Sequence, residues 1–288
     1  MNRLQYLFSE YWSVRRDALR TLESIVIPCI TSGNPASAEQ MFEDSHLQTQ
    51  CVAGGVTFSK WYADDVELPD DSIIVFRLSG MLYRWETSEL TELLEAAASN
   101  PKVAGVLFRI DGPGGMAGGV PALAERIRAM KKPSATVVEG EMCSAHLWIG
   151  ASADRVFVSS DFCEVGSLGT MTTFTSYKEY YKKLGIEERD IYPDTADLKN
   201  SEYRLLDEKG DDTAVKDRLE RLHRAFADHV ASCRGIKADM DDPIFRGAVV
   251  SGKEAISKGL ADEIGNFESA VQWLLAQGVI NSLPEEFK

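Results

Sequence analysis

Four stretches of this chain hold residues whose types and spacing could do chemistry. The first, Arg109-Ile-Asp-Gly-Pro-Gly-Gly115, closes a long apolar run. Glycine lets backbone approach a ligand closely, and free N–H groups there can bind an oxyanion or a phosphate. The same glycines also suit a plain turn between strand and helix. The spacing is not G-x-G-x-x-G and no G-K-[S/T] follows, so nucleotide loops fit poorly. The second stretch, Gly140 to Trp148, puts Ser144 where a strand gives way to a helix. A helix N-terminus favours developing negative charge, and the Ala145 N–H lies next in the chain. Capping the helix is the ordinary job of a serine there. The third, Gly166-Ser-Leu-Gly169, is by itself a turn. The fourth is the polar run Asp197 to Tyr203, where Lys199 alone reads as a solvated lysine.

A serine hydroxyl attacks only after a base takes its proton. Four histidines are available: His46, His146, His223 and His229. His223 and His229 belong to a long charged helix and are expected to face solvent. His46 lies in an irregular stretch. His146 follows Ser144 by two positions, and such neighbours on a helix do not face each other. It reads as lining a substrate pocket. A lysine serves as base only when uncharged, which requires burial to lower its pKa from about 10.4.

The surrounding elements follow from periodicity. Residues 4–25 carry Leu4, Leu7, Tyr11, Val14, Ala18, Leu22 and Ile25 at helical spacing, and residues 31–70 read as loop-rich. The helix has an apolar stripe with no evident place in a compact domain. From Ser72 the texture changes. Strands are predicted over 73–78, 103–110, 135–138 and 155–158, with helices over 89–98, 121–130 and from about 144. This alternation predicts a parallel sheet with helices on both faces. Further helices are predicted over 177–183, 212–233 and 268–276. Ser251 and Glu254 have capping-box spacing for a short helix ending near Gly259.

Composition narrows the function classes. The chain has 288 residues, 44% hydrophobic and 26% charged, with a net charge of −14. Those values suit a globular domain and argue against nucleic acid as the main ligand. No run has the roughly 18–20 apolar residues of a membrane helix, and Met1–Arg20 lacks the apolar core of a signal peptide. Five scattered cysteines without metal spacing predict reduced thiols, a cytoplasmic location and no bound metal.

In this order the motifs resemble the signal peptide peptidase A (SppA) family of serine peptidases, which includes phage prohead proteases that cut capsid and scaffold proteins. The resemblance covers about residues 72–276. It rests on RIDGPGG at 109–115, KKP at 131–133, CSAHLWI at 143–149, ADRVFV at 153–158, GSLG at 166–169 and KGLADEIG at 258–265. It implies an α/β, crotonase/Clp-protease-like fold of (ββα) repeats with a parallel sheet, spanning residues 71–288, with residues 1–70 as an N-terminal helical arm. It implies a Ser–Lys dyad: Ser144 as nucleophile and Lys199 as base, with Ser167 orienting the amine. Gly114 or Gly115 would form the oxyanion hole with Ala145. Lys178, Lys182, Lys183 and Lys209 are alternative bases.

Two departures stand out. Gly112 replaces a serine, and Ala145-His146-Leu147 replaces Gly-Gly-Tyr. The related Clp subunits use a histidine beyond the serine, but Asp161–Gly169 holds none. The implied partners are a polypeptide substrate, in phage or prophage a capsid or scaffold protein, and further copies of the chain in a ring. Within that ring the lysine acts on its own or a neighbour's serine. No cofactor is expected. The rivals are an acyl-CoA hydratase or isomerase on the same fold, and an inactive capsid-assembly scaffold.

Overall fold

The apolar run at 103–110 becomes the middle of the sheet because every residue in it can be covered on both faces. The computed structural model describes residues 11–31, 47–54, 56–59, 68–176, 178–187 and 189–282. Its strands are β1 (Trp12–Val14), β2 (Gln48–Ala53), β3 (Val56–Ser59), β4 (Ser72–Leu82), β5 (Val103–Met116), β6 (Ser134–Cys143), β7 (Arg155–Val158), β8 (Glu164–Gly166), β9 (Val249–Ser251) and β10 (Glu263–Ile264). The order across the sheet is β10-β7-β6-β5-β4-β2-β3. The run from β10 to β4 is parallel, and the hairpin β2–β3 adds antiparallel to β4.

The helices are α1 (Arg16–Thr31), α2 (Arg84–Ser99), α3 (Val120–Arg128), α4 (Ala145–Gly150), α5 (Lys178–Lys183), α6 (Ser201–Lys209), α7 (Thr213–Arg234), α8 (Gly252–Ser257) and α9 (Phe267–Ser282). One sheet face packs Phe76, Phe108 and Ile110 against Leu90 and Leu94 of α2, Leu123 and Ile127 of α3, and Phe226 and Val230 of α7. The other face packs Ile73, Val75, Leu107 and Val137 against Ala270 and Leu274 of α9. Helices thus cover both faces, as the strand–helix alternation predicts. Helix α4 is buried throughout, and Trp148 stacks on Phe226 with centroids 4.3 Å apart. Each ring, fully buried, contributes about 3 kcal/mol, so the turn that starts α4 stands on a fixed base.

Five expectations are corrected. The helix predicted over 4–25 is a short strand, β1, followed by α1, with residues 4–10 outside the described part. Trp12–Val14 pair with the end of β5, and that pairing overrides helical spacing. The stripe of α1 also has a place in this chain: Leu19 and Val26 are buried in a cluster with Trp12, Tyr83 and Met116. Within the loop-rich 31–70 stretch lie β2 and β3. Their polar sequence hides them, and pairing to β4 supplies the order. Finally, the polar run after Lys199 is the helix α6, and His229 is buried rather than solvent-facing.

Candidate active site

β5 does not end where its apolar run ends. Gly112–Met116 stays extended, with Met81 and Leu82 of β4 opposite Gly114 and Gly115. Glycine is required here by space. A Cβ on Gly115 would meet Leu82 O at 1.9 Å, and one on Gly114 (φ 106°) would meet Ser144 Cβ at 2.8 Å. The RIDGPGG stretch is therefore a strand that brings its backbone against Ser144, not a turn into a helix.

Ser144 lies on the step from β6 to α4 at φ 57° and ψ −116°. Such a conformation costs a non-glycine residue of order 1–3 kcal/mol, and strain of this kind concentrates at functional sites. It is held by its N–H donating to Gly166 O (2.9 Å) and its carbonyl accepting from Trp148 N–H (3.0 Å). The side chain makes no capping bond, so the ordinary job of a serine at this place is not the one it has. It is 1% exposed. Its Oγ lies 2.7 Å from Ser13 Oγ and 3.5 Å from Gly169 O. Ser13 donates to Gly169 O at 3.0 Å. The two hydroxyls thus share one short hydrogen bond, and both reach the same carbonyl, Gly169 O. The neighbouring Cys143 is no rival nucleophile, because burial pushes its thiol up to about 12.

His146 is buried behind Gly114, and its Nδ1 accepts the Gly114 N–H at 3.0 Å. Burial pushes its pKa down to about 4, so the ring is neutral and free to accept. A Cβ on Gly112 would lie 2.4 Å from the ring. Ala145 N–H opens α4 and has no acceptor within the helix. Ser167 is half-buried at φ 53°, with its N–H on Ala248 O (2.9 Å).

Lys199 is not brought to Ser144 within this chain. It is exposed, between a 3-10 turn (Asp194–Ala196) and α6. Lys182, Lys183 and Lys209 are exposed as well. Lys178 pairs with Asp207, which holds its pKa above the ordinary value, the wrong direction for a base.

Sequence reasoning missed Ser13, Trp12 and Arg15. Three residues of alternation, Trp12-Ser13-Val14, are too short a signal to mark a strand. Among the described residues no group of three or more His, Cys, Asp or Glu side chains could hold a metal, and no helix is long and apolar enough to cross a membrane. Cys51, Cys143, Cys163 and Cys233 are unpaired.

Comparison with known proteins gives the family. Residues 126–279 match the model of peptidase family S49. The capsid assembly protease C of Escherichia phage lambda is 31% identical over 180 residues, covering 62% of this chain and 40% of that protein. The head-tail preconnector protein GP5 of Enterobacteria phage P21 is 28% identical over 209 residues, covering 71% and 41%. The chain therefore spans about two fifths of the length of each. Among solved structures, a ClpP1 from Listeria monocytogenes superposes with a TM-score of 0.44 at 12% identity, over 68% of this chain and 94% of that one.

Proposed function

This chain belongs to peptidase family S49, and on that premise we propose that it is a serine endopeptidase in which Ser144 is the nucleophile. The observation that carries the reading is the backbone of Ser144: a non-glycine residue held at φ 57° on a strand-to-helix step, with its hydroxyl unused as a cap. Folds keep such strain where a side chain must be presented in one direction.

In the reaction, a base takes the Ser144 proton and Oγ attacks the carbonyl carbon of the scissile bond. The negative charge that develops on the carbonyl oxygen is met by the N–H groups of Gly115 and Ala145. Donors of this kind are worth about 3–4 kcal/mol each in the transition state. His146, by holding the Gly114 N–H, fixes the Pro113–Gly114 peptide plane, one unit before the one that carries the Gly115 N–H. The protonated base then passes its proton to the leaving amine, and water releases the acyl group from Ser144.

Lys199 is the proposed base, with Ser167 orienting its amine. The lysine must be uncharged to act, and desolvation is what makes it so. In a single chain Lys199 is exposed, beside Ile191 and Leu198, which are 85% and 77% exposed. A closed ring of copies supplies the missing cover: a neighbour buries these apolar side chains and takes the lysine to its own Ser144. The two phage relatives, by their names, support a capsid or scaffold protein as substrate, cut during particle maturation.

The test is a fluorophosphonate probe, which reacts only with an activated serine. Labelling of the assembled protein that vanishes in Ser144→Ala, together with peptide cleavage, is the expected result. Absence of labelling in every assembly state leaves the inactive scaffold or the serine-independent hydratase.

A further inference from the structure

Residues 11–15 run between the two walls that frame Ser144. On one side β1 pairs antiparallel with β5: Trp12 opposite Met116, Ser13 opposite Gly115, Val14 opposite Gly114. On the other side Trp12 and Met171 exchange both main-chain bonds, each 2.8 Å. A segment bonded through its backbone on both edges is a strand seated in a slot, which is how extended peptides add to open sheet edges. We infer that this slot is the substrate groove, and that residues 11–15 fill it as a substrate-like strand in a register that cannot be cut, holding the chain inactive until the strand withdraws. The inference rests on the peptidase reading of Ser144.

The register explains why the strand is not a substrate. Ser144 Oγ faces the Oγ of Ser13, a side chain, and not a carbonyl carbon. The short bond ties the Ser144 hydroxyl to that oxygen, and both hydroxyls also reach Gly169 O, so the nucleophile is engaged by the strand. The oxyanion donor is taken too. Arg15 N–H donates to Pro113 O (3.0 Å) and Ala117 N–H to Tyr11 O (2.9 Å). The alternation of an antiparallel ladder then makes Ser13 and Gly115 a hydrogen-bonded pair, with the Gly115 N–H turned to Ser13. One short strand therefore occupies both the nucleophile and the group that would stabilise its product.

The strand is anchored along its length. Trp12 and Val14 are buried with Tyr83 and Met116. The Arg15 guanidinium pairs with Glu141 (3.1 Å) and with Glu164. The Tyr11 hydroxyl accepts from Arg218 (3.0 Å) and lies 3.4 Å from the hydroxyl of Tyr203, on the helix after Lys199. The strand thus touches both the segment that carries the serine and the segment that carries the lysine. At its two ends, Tyr11 and Arg15 are half-buried and held by polar or charged side-chain contacts, which are the places where the strand would peel away first.

The experiment measures the rate of fluorophosphonate labelling of the full chain beside Arg15→Ala and Trp12→Gly. Labelling is expected to be at least tenfold faster in both variants and absent in Ser144→Ala. A synthetic peptide of residues 10–17, added to Trp12→Gly, should slow it again, which also shows that this variant is folded. Equal rates in the wild type and both variants overturn the inference. If no form labels, the nucleophile reading fails, and hydrogen exchange decides the strand's role separately. Amides of residues 12 and 171 protected in the wild type and released in both variants sustain an occupied groove; fast exchange in the wild type overturns it.

Discussion

Ser144 and Lys199, the two residues proposed to share one proton, live in opposite surroundings. Ser144 is fixed by bonds to Gly166 and Trp148, backed by Gly114, and shut from solvent. Helices α5 and α6, which flank Lys199, have no buried residue. The sheet builds the nucleophile's half from within one chain, because strand ends and the helix behind them converge there without help. The lysine's half has no core of its own, and in the proposed assembly it would take its position from a neighbouring copy. Burial by itself does not make a base either. The Lys132 amine is pushed down by burial, yet it donates to Val103 O (2.7 Å) at the opposite end of β5 from Gly114.

The sharpest test of this contrast removes each half in turn. Ser144→Ala should lower kcat/KM by about 10⁴-fold or more. Its melting temperature should fall only slightly, because the lost hydroxyl caps nothing and Ser13 keeps its bond to Gly169 O. Lys199→Met and Lys199→Arg should lose as much, the arginine because its guanidinium stays protonated. Activity kept in both, and lost in Lys209→Met, would move the base. Mixing Ser144→Ala chains with Lys199→Met chains then separates two arrangements. Regained cleavage means that serine and lysine come from different copies; none means that they share one.

A smaller effect is expected from the cover of the lysine segment. Ile191→Asp and Leu198→Asp should reduce activity by about tenfold or more by weakening association, since a buried carboxylate needs a partner. Light scattering should show a lower mass at equal concentration. A variant that stays assembled and fully active breaks the proposed role of these side chains.

The smallest effect lies on the serine's side. The His146 pKa is pushed from 6.5 to about 4 by burial. Unfolded chains bind its proton below about 6.5, folded ones only near 4, so stability falls as pH drops through that window and is flat above it. The loss is at most about 3 kcal/mol. Urea titrations from pH 7 to pH 4 measure it. His146→Gln, which keeps an acceptor and cannot charge, should reduce the dependence, leaving the part due to His229, whose pKa burial also lowers.

The sheet was legible in the sequence wherever residues are buried on both faces. Val103–Ile110 and Arg155–Val158 read as strands because their apolar character alone demands cover. The place of Ser144, between a strand end and a helix start, was legible, while its proposed role came from the resemblance, because the motif alone reads as a cap. β1 was not, since Trp12-Ser13-Val14 gains its order only from Gly114–Met116 and Met171, far away in the chain. The extension of β5 through Gly-Pro-Gly-Gly was hidden for a related reason. Local preference marks a turn, while Leu82 and Ser13 on either side impose a strand. Lys199 could be singled out only by resemblance, because nothing in a polar run distinguishes a base from a solvated amine.

The imidazole of His146 and the bare Cα of Gly112 occupy one volume between them. The two departures from the family pattern, glycine at 112 and histidine at 146, are therefore sterically coupled. Gly112→Ser alone should drive its side chain into the ring and against Gly80 O, while adding His146→Gly relieves only the ring's share of that crowding. The cost of the pair would then be less than the sum of the single costs, as expected of residues that touch. Divergence can cross between the two arrangements only by passing through an overcrowded or a hollow intermediate, so drift at one position is gated by the state of the other.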